Sequence, residues 1–158
     1  MPRQDTKLES EGAEFLVLGQ LLINRIASYK TYTNMPGYDL FATQPENNTS
    51  ARIHVKSRWR TGAPGFLISN FYCAFVAVVR LNRGNKEGTA KVLPPEYFVF
   101  PVDVVKAARR DKDWRKVFFH KIPDVDTYRD RWDFIVDFLA VGSPDPSPQL
   151  TFDARDEK

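Results

Sequence analysis

Gly37-Tyr38-Asp39, Leu40-Phe41-Ala42-Thr43, the polar turn from Gln44 to Ser50, and Arg52-Ile53-His54-Val55-Lys56 form the stretch whose reading decides the fold. Thr31 to Asn34 and Tyr38 to Thr43 read as short strands around a Pro36-Gly37 turn, and Ala51 to Trp59 reads as the next strand. Strand side chains alternate between faces, so His54 and Lys56 point the same way, and a hairpin folding back near Gln44 to Ser50 carries them toward Asp39. An acid, an imidazole and an ammonium then meet. Gathering them is costly unless something binds there, and a divalent cation beside a phosphate is the usual occupant.

Upstream, Leu8, Phe15, Leu18, Leu22, Ile26 and Tyr29 fall at helical spacing, which predicts a helix over residues 8–29 with this stripe facing the core. Glu14 lies at the edge of that stripe and Glu9 in open solvent. Downstream, Phe66 to Ser69 and Tyr72 to Leu81 are apolar enough for strands buried on both faces, and they are assigned to the centre of the sheet. Arg83 to Lys91 reads as a loop and Tyr97 to Phe100 as a further strand. A short helix over residues 102–110, an edge strand over 116–122 and a closing helix over 125–141 follow. Gly142 and three prolines then stop the pattern, so residues 1–142 read as one domain and 143–158 as a disordered tail. The expected class is α/β (α+β), a central mixed β-sheet flanked by helices.

At 158 residues with 42% hydrophobic and 13% aromatic content, the chain can bury a sizeable core. No apolar run is long enough to cross a bilayer and Met1 to Ser10 is polar, so no membrane association is expected and the chain is placed in the cytoplasm. Cys73, alone in an apolar run, reads as a small buried hydrophobe. Walker loops, dinucleotide fingerprints, paired-cysteine zinc motifs and nucleophile elbows are absent, which leaves no nucleotide cofactor, redox or acyl-transfer chemistry. Net charge is only +3, but Arg52, Lys56, Arg58 and Arg60 follow one another with no acid between them. Such a strand tracks phosphates or is simply solvated. Trp59 and Trp114 are candidates for stacking on bases; His120 has no partner at a recognisable spacing.

In order and spacing, Gly12-Ala13-Glu14 on a first helix, Gly37-Tyr38-Asp39, and His54-Val55-Lys56 with Ser57 resemble the PD-(D/E)XK nuclease superfamily, in particular its small restriction-endonuclease-like and Holliday-junction-resolvase-like members. The resemblance covers about residues 8–140. It implies a restriction-endonuclease-like fold and a metal-dependent DNA endonuclease that uses a divalent cation, Mg or Mn. It implies Glu14 and Asp39 as catalytic metal ligands, the Val55 carbonyl as a further ligand, and Lys56 orienting or activating the attacking water. Arg52, Arg58, Arg60 and Trp59 would bind the nucleic acid, and members of this kind often pair as homodimers. One position departs from the pattern. His54 stands where the family usually has Glu or Gln, and an imidazole suits manganese, iron or zinc better than magnesium. Three outcomes follow: a nuclease working with a softer cation and His54 as ligand, a magnesium nuclease using only Glu14, Asp39 and the Val55 carbonyl, or a catalytically inactive nuclease-fold module that binds nucleic acid or a protein partner.

Overall fold

Two layers of cover enclose one five-stranded sheet in the computed structural model, which describes residues 6–32, 38–109 and 115–141. The 143–158 tail, Trp114, Arg110, and the Pro36-Gly37 turn with Thr33 and Asn34 lie outside the described residues. Helix α1 is Thr6–Ile23, followed by β1 (Ala27–Lys30), β2 (Leu40–Gln44), β3 (Thr49–Arg58), β4 (Gly65–Leu67), β5 (Phe75–Arg80) and β6 (Glu96–Pro101). Then come α2 (Val102–Ala108), β7 (Lys116–Phe118) and α3 (Asp133–Ala140). The main sheet has the order β1-β2-β3-β5-β6, with β3 and β5 parallel and the other neighbours antiparallel. The mixed α+β class with helices flanking a central mixed sheet is thus what the chain adopts.

Alternation along the strands sorts the core into two halves. Ile53, Val55, Ala77, Val79 and Val99 pack against Ala13, Val17 and Leu21 of α1 and Ile135 and Leu139 of α3. Val76, Val78, Phe98 and Phe100 point the other way, onto α2 and the small β4–β7 sheet. Phe98 and Phe100 stack at 5.8 Å between ring centres, and Phe98 meets Phe119 at 5.1 Å. Covering both faces is why β5 is buried along most of its length, as its unbroken apolar run requires.

Several boundaries differ from the expectation, each for a local reason. The first helix ends at Ile23 because Arg25 takes a left-handed φ of 62°, and the Ile26 and Arg25 amides close back onto the Leu21 and Leu22 carbonyls at 2.9 and 3.0 Å. This Schellman closure, with Leu21 and Ile26 in the same apolar cluster, releases Ala27–Lys30 to form β1 instead of the last turn of a long helix. Of the strand expected at Thr31 to Asn34, Thr31 and Tyr32 follow β1 without belonging to it, and Thr33 and Asn34 lie outside the described residues. The buried face of α1 is Ala13, Val17 and Leu21, whereas Leu8, Phe15 and Leu22 of the expected core stripe are 77, 49 and 52% exposed. Phe66 is fully buried, but β4 pairs with β7 and is not part of the main sheet. The expected 116–122 strand stops at Phe118, where a 3₁₀ turn begins. The expected 125–141 helix is a 3₁₀ turn over Val125–Tyr128 and a separate α3, interrupted where Asp130 adopts a φ of 50°.

The C-terminal end of α3 is tied to the β2–β3 hairpin by Thr49, whose buried hydroxyl donates to the Leu139 carbonyl at 2.7 Å. Thr49→Val keeps the shape and strands that carbonyl with only a long 3.4 Å contact from Asn47. Urea unfolding is expected to show a loss of about 1 kcal/mol.

Candidate active site

Asp39 sits where β2 begins and β3 runs on beyond it. Its amide donates to the Ile53 carbonyl at 2.9 Å, and its own carbonyl accepts from the Thr31 amide and hydroxyl at 3.0 and 2.9 Å. These bonds fix the backbone, so the side chain turns toward β3, where Oδ2 accepts from the Val55 amide at 2.7 Å. Along β3 the Arg52 and Arg58 carbonyls bond to the β5 side, while the Ile53 carbonyl bonds to Asp39. Successive residues direct their backbone groups to opposite edges, so the Val55 amide and carbonyl both face the edge that β2 has left. The Asp39 carboxylate takes the amide; the carbonyl looks into the same gap.

Glu14 reaches this gap from α1. Burial and the neighbouring Asp39 carboxyl push its pKa up to about 7, with Lys30 opposing the rise. Sequence reasoning gave no part to Lys30, yet its side chain is only 6% exposed and its Nζ lies 2.8 Å from Glu11 and 3.1 Å from Glu14. Phe15 and Tyr32 rings flank it at 5.3 and 4.9 Å. Burial alone would lower the Lys30 pKa, but its bonds to Glu11 and Glu14 outweigh that and raise it. The signal that could have located it is parity: Ser28 and Lys30 share the face of β1 turned toward α1, once the helix is ended at Ile23.

Lys56 lies on the same face of β3 as His54 and is half-buried. Burial draws its pKa down against the opposing charges of Asp39 and Cys73. Among the described residues no carboxylate stands within 4 Å of its Nζ. His54 is buried, with its Nε2 3.9 Å from Asp39 Oδ2 and its Nδ1 lacking a hydrogen-bond partner among the described residues. Burial and the Lys56 charge lower its pKa to about 4 against the pull of Asp39, so the imidazole is neutral at neutral pH. Glu14, Asp39 and Lys56 are thus brought to one place. His54 adjoins them, but no cluster of three His, Cys, Asp or Glu side chains poised to hold a metal forms among the described residues.

Of the basic residues, Arg58 and Arg60 line one groove of about 480 Å³ with Trp59, between Thr6 and Glu9 of α1 and the Asn85-Lys86-Glu87 loop. Arg58 is braced by a 3.1 Å bond from Nη1 to the Gly65 carbonyl. Arg52 is elsewhere, its guanidinium over the Tyr38 ring at 5.1 Å. Glu9 is not in open solvent: it is half-buried in the groove, where burial raises its pKa against the nearby Arg58. The 85–87 loop came from 25 residues downstream and had no sequence signal for this placement. His120 is exposed beside Phe118, and Cys73 is buried at 3% exposure. No helix among the described residues is long and apolar enough to cross a membrane.

At this site a helix, a strand end and the following strand converge at one edge of the mixed sheet. The particular likeness is to a bacterial homing endonuclease, I-Ssp6803I, with a TM-score of 0.56 and 22% identity over 88% of this chain and 96% of that one. At that identity the likeness is one of fold. No family model matches the chain, and neither does any curated protein.

Proposed function

We propose that this chain is a divalent-metal-dependent DNA endonuclease of the PD-(D/E)XK type, with Glu14, Asp39 and the Val55 carbonyl as metal ligands and Lys56 as the catalytic cation. One observation carries this reading. Two carboxyls 25 residues apart crowd together at the edge that the Val55 amide and carbonyl face, and the crowding pushes the Glu14 pKa up to about 7. A site that crowds negative groups until one must protonate is short of positive charge, and hard oxygen donors of this kind fit magnesium or manganese. The bound cation would polarise a phosphoryl oxygen and make water more acidic. Lys56, free of an ion pair among the described residues, balances charge on the phosphate and orients the attacking water. Arg58, Arg60 and Trp59 hold the strand along the groove.

His54 is neutral and adds no charge to the donor set. With one carboxylate fewer than the family pattern, manganese is favoured over magnesium. Supercoiled plasmid is expected to be nicked with manganese, less well with magnesium, and not at all with a chelator or in Asp39→Ala. Equal nicking by Asp39→Ala removes the assignment. His54 also favours a second reading, a non-cleaving nucleic-acid-binding module, for which salt-sensitive DNA binding without cleavage under any divalent ion is the sign.

A further inference from the structure

The two carboxylates of the site are each gripped at one oxygen. Asp39 Oδ2 accepts from the Val55 amide at 2.7 Å, and Glu14 Oε2 meets the Lys30 ammonium at 3.1 Å. The other oxygen of each stands outside these two contacts. A Glu side chain turns about one more bond than an Asp, so Glu14 is the looser of the two unless a second group fixes it. The strand backbone fixes Asp39, and Lys30 does the same for Glu14 from β1. The ammonium is itself held from several sides, with Glu11 at 2.8 Å and the Phe15 and Tyr32 rings at 5.3 and 4.9 Å.

From this arrangement we infer that Lys30 is a positioning residue of the proposed metal site: it holds the Glu14 carboxylate by one oxygen so that the other is offered to the divalent cation, and Glu11 holds Lys30. The inference rests on the metal-dependent nuclease reading and adds to it a residue that ligates nothing. Lysine on an edge strand ordinarily leans out to water, and β1 is such a strand, with Tyr29 61% exposed. The Lys30 side chain is nevertheless only 6% exposed. Buried ion pairs can often be replaced by apolar groups without loss of stability, so stability alone gives little reason for a charge there. A metal ligand to be held gives one, because removing such an outer partner commonly costs about 10–100-fold in metal affinity. Glu11 shares the ammonium, so Lys30 does not cancel the Glu14 charge that the cation needs. The sign of the effect separates this role from that of a mere counter-ion. Deleting a positive charge beside the site would by itself tighten cation binding, whereas deleting a positioning group loosens it.

The test is titration calorimetry of manganese chloride into the full chain, first stripped of metal by a chelator, with wild type beside Lys30→Met. Methionine fills the same space between the two rings, so the metal-free variant is expected to melt close to wild type. Its manganese affinity is expected to fall about 10–100-fold. In plasmid nicking the half-saturating manganese concentration should rise accordingly, with the rate at saturation within about 3-fold of wild type, since excess cation makes good a positioning defect. Glu11→Gln changes a side chain 51% exposed and spares the fold. It is expected to weaken manganese binding by roughly 3–10-fold at about 0.15 M salt, where the lost surface charge is largely screened, because the ammonium released from Glu11 closes fully on Glu14. Equal or tighter manganese binding by folded Lys30→Met overturns the proposal; should that variant not fold, wild-type affinity in Glu11→Gln overturns it. A wild-type chain that takes up no manganese removes the nuclease reading itself and this proposal with it, so the two failures are told apart.

Discussion

Lys56→Ala is expected to slow plasmid nicking by roughly 10²–10⁴-fold, the range lost when a single charge-stabilising or proton-handling group is removed. Affinity for duplex DNA should change little, with the slope of log affinity against log salt falling by about 1, as for one lost phosphate contact. The expectation rests on where the ammonium stands. Half-buried on β3, two residues from His54, it feels Asp39 and Cys73 without being locked to a carboxylate within 4 Å among the described residues. Burial lowers its pKa against the opposing pull of Asp39 and Cys73, and a bound phosphate would offset the remaining cost of holding its charge. Lys56→Arg is expected to restore little of the rate, because a guanidinium keeps its proton and fits a different, forked geometry. Measuring single-turnover nicking alongside binding separates the two effects. Wild-type turnover by Lys56→Ala would show that β3 carries no catalytic cation.

The convergence of Asp39 with His54 and Lys56 was legible because a hairpin and strand alternation are local rules, and Gln44 to Asn48 does turn the chain as its composition demands. Glu14 was legible from helical spacing even though the stripe used to place it was assigned to the wrong side. Periodicity counts apolar residues on a face but not what covers it, and α1 has two apolar faces, so the larger side chains match a core stripe while Ala13, Val17 and Leu21 form the core. Lys30 was hidden behind the helix end, which a left-handed Arg25 sets and no glycine announces. The apolar run of β4 looked like a central strand because burial by α2, β7 and the Phe98–Phe100–Phe119 cluster asks for the same residues as burial within the sheet. The groove with Asn85 to Glu87 is made of distant segments, and nothing in their composition marks them as neighbours.

Glu14→Gln is expected to make the metal-free protein more stable at pH 8 while abolishing cleavage. In the native state the Glu14 carboxyl, ordinarily at 4.5, is pushed up to about 7, so the folded chain binds this proton more tightly than the unfolded one. The associated stability is fully present below about 4.5 and is lost as pH rises through about 7. Undiscounted, the linkage is roughly 3 kcal/mol, and solvent screening of a partly exposed group reduces it to about 1–2 kcal/mol. Glutamine mimics the protonated form and leaves Lys30 its 2.8 Å bond to Glu11. The variant should therefore melt about 3–6 °C above wild type at pH 8 and level with it near pH 4.5. His54 runs the other way, its pKa lowered from 6.5 to about 4, so its contribution is present above 6.5 and lost as pH falls through about 4. Comparing variant with wild type at each pH cancels it. Manganese should reverse the ranking, raising the wild-type melting temperature by binding only the folded state and leaving the variant unmoved. A variant that melts below wild type at pH 8 would mean that the Lys30 ion pair outweighs the crowding with Asp39, and the carboxylates would then not be short of a cation.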